Sequence, residues 1–154
     1  MKSLITVLAI MFFAVNAFAQ KIKEAEVPKA VIATFQEHFK GAKVEKWEKE
    51  EGGYEASFDF NKVETSATFS TDGKLMETES EIGVKLLPAS VADYITKNYA
   101  GYKIEEAAKI TDDKGAVTYE AEIEKGKDEL ELMFDANGAF LKKAEKDKEE
   151  DDKD

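Results

Sequence analysis

Carboxylates are the most abundant reactive side chains in this chain, with 33 Asp and Glu in 154 residues, and one set of them has a spacing that could hold a cation. If Asn61-Lys62 is a two-residue loop between alternating strands, Phe60 faces Val63 and Asp59 faces Glu64. A second such loop at Asp72-Gly73 brings Glu64 beside Glu81. Asp59, Glu64 and Glu81 then share one row, where like charges repel unless water screens them or a divalent cation offsets them. Calcium asks for about six to eight oxygens in a curved arrangement, which a flat strand row supplies poorly. A solvated acidic sheet face is therefore the alternative to a calcium site. By the same rule Glu124 pairs with Glu129 and Glu122 with Glu131.

Other chemistry is sparse. His38 is the only histidine and falls on a helical stretch, where it reads as a surface residue, and there is no cysteine to serve as nucleophile, disulfide or thiolate ligand. The sequence holds no glycine-rich phosphate loop, HExxH or EF-hand pattern, so it predicts no catalytic residue, no cofactor and no enzyme. Glycan hydrolysis by paired carboxylates needs two acids about 5–10 Å apart across a cleft, which this pattern does not foretell. Trp47 is the single tryptophan. It is read chiefly as packing at a helix–sheet boundary, with an exposed interaction anchor as the alternative.

The elements that would position these residues begin after an export signal. Lys2, an apolar run from Leu4 to Val15 and the Ala17-Phe18-Ala19 triplet form a signal peptide over residues 1–19, cleaved after Ala19. The run is shorter than the roughly 20 residues a membrane span requires, and nothing later is as apolar. A periplasmic or secreted protein without a membrane span after signal removal is expected. The formal charge of -11 becomes -12 on losing Lys2, and every basic residue is lysine. That balance disfavours nucleic acid, whose binding rests on neutralising phosphates, and suits a cationic partner or a divalent ion.

The remaining chain repeats itself. Val27-Pro28 to Glu45 aligns with Leu87-Pro88 to Glu105, and Tyr54 to Leu75 aligns with Tyr119 to Phe140, the extra residues falling near Asp112-Asp113-Lys114-Gly115. Each copy opens on apolar residues at helical spacing after a proline, Val31, Phe35 and Phe39 or Val91, Ile95 and Tyr99, and stops at Gly41 or Gly101. The period then becomes two, as in Tyr54, Ala56, Phe58, Phe60 and in Tyr119, Ala121, Ile123. The expected class is α+β: two tandem repeats, residues 20–85 and 86–144, each a helix plus four antiparallel strands. Both helices pack on one face of an antiparallel sheet, continuous or split. Residues 145–154 read as a disordered acidic tail.

The string Val27-Pro28-x-x-Val31, Phe39-x-Gly41-Ala42-x-Val44-x-x-Trp47, Tyr54-x-Ala56-x-Phe58 and Thr65-x-Ala67-x-Phe69-x-x-Asp72-Gly73 resembles the PepSY-like, β-lactamase-inhibitor-like family of bacterial periplasmic proteins. The resemblance runs over residues 27–144, and the second copy departs from it in placing Ala107 where the first has Trp47. It implies a small envelope protein without established activity. The expected function is a non-enzymatic binding module for an envelope protein or peptide, possessing inhibitor-like shape. The alternative is a calcium-responsive acidic envelope protein.

Overall fold

A computed structural model describes residues 20–50 and 52–144, so the signal peptide and acidic tail foreseen above lie outside the described residues. The chain runs β1 (Gln20–Ile22), α1 (Lys29–His38), β2 (Val44–Glu50), β3 (Gly53–Phe60), β4 (Val63–Ser70), β5 (Leu75–Glu81), α2 (Ala89–Asn98), β6 (Lys103–Asp112), β7 (Val117–Lys125), β8 (Asp128–Asp135) and β9 (Phe140–Ala144). A 3-10 turn precedes each helix, at Glu24–Glu26 and Val84–Leu86. All nine strands form one antiparallel sheet in sequential order, and the fold is mixed α+β.

The helices start where proline stops being a liability. Pro28 and Pro88 occupy the N-cap, one residue before the first helical position rather than inside the first turn, so neither withdraws an N–H from the helix. Gly41 and Gly101 follow at φ 85° and 87°, a left-handed conformation open to glycine at little cost, and turn the chain into β2 and β6.

Hairpin chemistry sets the register. Asn61 and Lys62 both take positive φ, 54° and 67°, the two-residue turn whose twist suits antiparallel strands, and Phe60 pairs with Val63 and Asp59 with Glu64 as foreseen. The next turn is longer than a two-residue loop: Ser70 N–H donates to the Lys74 carbonyl at 2.9 Å. A bulge between Thr68 and Phe69 absorbs the extra residue, so Thr65 still pairs with Ser80.

The extra strand β1 was not foreseen, because three residues are too few to carry a period-two signal. It is held by pairing, with Ile22 opposite Trp47. The end of β5 plays the corresponding part for the second half, where Glu81 lies opposite Ala108 and Ile82 N–H donates to the Ala107 carbonyl at 2.8 Å. One strand thus completes the first half and begins the second, which makes the sheet continuous.

Both helices cover the same face, over two separate hydrophobic cores. In the first, Val31, Phe35 and Phe39 meet Trp47, Ala56, Phe58, Ala67 and Phe69. In the second, Val91 and Ile95 meet Ala107, Ala121, Ile123, Leu132 and Phe134. Full burial of each large side chain contributes about 1.5–3 kcal/mol, so these two stripes hold the helices on the sheet. The β4–β5 turn locks under α1, with Thr34 Oγ1 donating to the Gly73 carbonyl at 2.7 Å, and Ser90 Oγ donates likewise to the Asn137 carbonyl at 2.8 Å.

Candidate interaction face on the open side of the sheet

Strand alternation sends every second side chain away from the helices, and on that side the sheet is open. The pairing order places Glu48 opposite Glu55, Ser57 opposite Ser66, Ser66 opposite Glu79, and Glu79 opposite Ile110. Further across, Ala108 lies between Glu81 and Glu120, and Glu106 pairs with Glu122, which pairs with Glu131. Small residues in the middle of such a row leave a depression, while long ones on either side rim it.

That depression is a hollow of about 280 Å³ at the centre of the face. Ser57, Ser66 and Ala108 lie low in it, and Glu55, Glu64, Glu79, Glu81, Glu106, Glu120 and Glu122 line its rim. Both halves of the molecule contribute, so neither could form it alone.

Crowding perturbs the carboxyls. Burial, then the neighbouring charges of Glu79, Glu131 and Glu122, push Glu120 up to about 8 against the opposing pull of Lys142. Burial, followed by Glu55, Glu77 and Glu131, pushes Glu79 up to about 7. Glu77 is raised by burial and by Asp112 directly opposite. Glu50 reaches about 7 through burial and a hydrogen bond shared with Glu55. Several of these groups therefore carry protons near neutral pH, which relieves the like-charge repulsion of the row.

The structure sorts the residues singled out by sequence. Asp59 faces Glu64 across β3 and β4, and Glu64 and Glu81 both reach the hollow. Among the described residues no three His, Asp or Glu side chains converge as a metal cage. Trp47 is a correction for the interaction alternative: it points to the helix side and is 4% exposed. Its ring packs edge-on to Phe35 at 5.8 Å and tilted against Phe69 at 6.1 Å, because β2 alternation puts it on the same side as Ala56. Its Nε1 has no hydrogen-bond partner among the described residues, so the side chain is held by packing. His38 is exposed at the end of α1. Sequence reasoning missed Glu79 and Glu120, since their neighbourhood exists only once β5 pairs with β6. Their positions in the outward phase of each strand were the one available signal.

A family model described as "Putative beta-lactamase-inhibitor-like, PepSY-like" matches the chain over residues 14–64 and again over 54–142. No curated protein matches. Among solved structures, "putative periplasmic proteins" from Bacteroides eggerthii DSM 20697 superpose with TM-score 0.69 at 15% identity, covering 77% of this chain and 88% of that one. A DUF2874 family protein from Bacteroides ovatus ATCC 8483 gives 0.64 at 21% identity, covering 76% and 86%. A BLIP-like protein from Bacteroides fragilis NCTC 9343 gives 0.62 at 18% identity, covering 76% and 84%. Identities this low speak to the fold alone.

Proposed function

The chain belongs to the PepSY-like, beta-lactamase-inhibitor-like family, and from that premise we propose that it is an exported, non-enzymatic binding module of the periplasm. It is composed of two copies of one helix-and-sheet unit fused through β5. Its open sheet face receives an envelope protein or peptide that presents lysine or arginine. The observation that carries this is the asymmetry of the sheet: both hydrophobic cores lie under the helices, while among the described residues no element covers the other face, which is hollowed at its centre. Interfaces need shape before they need charge, and a hollow rimmed by glutamates offers both. The net charge, -12 once Lys2 leaves with the signal, steers a cationic partner towards it.

Plugging the hollow tests the proposal. Ser57→Trp with Ser66→Trp fills it without touching either core, whereas Ala92→Trp places the same bulk on the exposed side of α2. A partner captured from envelope extract by the wild type should be lost from the plugged protein and retained by the helix variant. Equal recovery by all three would defeat the face as the docking surface. The competing proposal, a calcium-responsive acidic protein, instead expects capture that a chelator abolishes whichever variant is used.

A further inference from the structure

The junction between the two halves is the pairing of β5 with β6, and its middle lacks the apolar packing of the two cores. On the helix side its middle is polar, with Thr78 opposite Thr111 and Ser80 opposite Lys109, and the second core reaches only its end, where Ile82 bonds to Ala107. On the open side Glu77 faces Asp112 directly. Five residue pairs join β5 to β6, as five join β4 to β5, whereas eight join β3 to β4 and eight join β7 to β8.

One apolar feature holds the open side of this seam. Ile110 is 5% exposed there and Ala108 is 8% exposed, although both face away from the helices. Register places Glu79 and Thr118 on either side of Ile110, with Glu77 and Glu120 on the diagonals. Covering Ile110 with glutamate stems removes those carboxyls from water, and this is tolerable only while they are neutral. Ionised, each gains by swinging out to solvent and uncovering Ile110.

We propose that the β5–β6 seam is a proton-sensitive joint: protonated Glu77, Glu79 and Glu120 hold the two halves in one continuous sheet, and their ionisation loosens this seam ahead of either core. The inference stands whether or not the face binds a partner. The groups that face these carboxyls come from every neighbouring strand. Glu55 on β3 and Asp112 on β6 add like charge to Glu77. Glu55, Glu77 and Glu131 add it to Glu79. Glu79, Glu122 on β7 and Glu131 on β8 add it to Glu120, and Lys142 on β9 works against Glu77 and Glu120. The elevated proton affinity of Glu77, Glu79 and Glu120 is the expected accompaniment. At the end of the seam Lys74 pairs with Asp113, an exposed contact that water screens.

Residue-resolved hydrogen exchange on the exported protein at pH 5.5 and 8.5, corrected for intrinsic rates, tests the joint. Those amides of residues 77–81 and 108–112 that bond across the seam should lose about tenfold or more protection at the higher pH, relative to the amides of Ala56, Ala67, Ala121 and Leu132 in the cores. Glu77→Gln, Glu79→Gln and Glu120→Gln together, which keep the shape and remove the charges, should retain seam protection at pH 8.5, and Glu120→Gln alone should fall between. Uniform loss over seam and cores would overturn the proposal. So would identical pH dependence in wild type and triple variant.

Discussion

The two halves share a backbone plan but fill it differently. In the row crossing β2, β3 and β4 the first half carries Trp47, Ala56 and Ala67, and in the row crossing β6, β7 and β8 the second carries Ala107, Ala121 and Leu132. The bulk has moved from the first strand of the row to the last. Similarly, Phe35 and Phe58 in the first core correspond to Ile95 and Ile123 in the second, which adds a stacked Tyr94–Phe140 pair at 4.8 Å instead. A core thus constrains total volume and apolar character more tightly than the identity of any one residue.

The largest expected effect breaks that comparison at its most unequal point. Trp47→Ala should cost about 3–5 kcal/mol in denaturant unfolding, because the first half has no large residue at Ala67 to take up the space. Adding Ala67→Leu, which imitates the second half, should restore part of the loss. No recovery would mean that the two interiors are not interchangeable solutions.

Next in size is the turn under α1. A Cβ at Gly73 would lie 2.7 Å from Ala30 Cβ and 2.8 Å from its backbone carbon, at φ +89°. Gly73→Ala should therefore cost about 2–4 kcal/mol, from backbone strain and overpacking together. Gly41→Ala shares the positive φ but meets nothing within 4 Å, so strain alone, about 1–2 kcal/mol, should be measured there.

A smaller effect distinguishes the faces rather than the halves. Glu120 and Glu79 hold protons in the fold up to about 8 and about 7, against an ordinary glutamate near 4.5. Their folded proton affinity is raised, so the stability they contribute is complete below about 4.5 and is lost as pH rises through about 7 to 8. The thermal midpoint should accordingly fall between pH 5 and pH 8.5, and Glu120→Gln should flatten the fall. A midpoint that rises over this window would contradict the packing of the open face. The smallest expected change comes from Lys74→Ala: its pair with Asp113 is solvent-exposed, and the midpoint should move within experimental scatter.

Much of the architecture was legible in the chain because it is written in local periods. Phe60-Asn61-Lys62-Val63 specifies its own turn, and with it the pairing of Asp59 with Glu64. The helical stripes and alternating strands named their core residues directly. β1 escaped because its three residues have no pattern of their own, and the position of Trp47 stayed open because tryptophan suits both a core and an interface.

By itself, then, the sequence determined the class, the two helices, the register of the Asn61-Lys62 hairpin and which side chains point away from the helices. Only the tertiary structure decided that β5 serves both halves, and hence that Glu79, Glu81, Glu106 and Glu120 come together around Ala108 and Ile110. The physical reason is range. Periodicity and turn chemistry act over a few neighbouring residues, whereas a hollow lined from β3 to β7 depends on strand pairing across a junction that no local preference encodes.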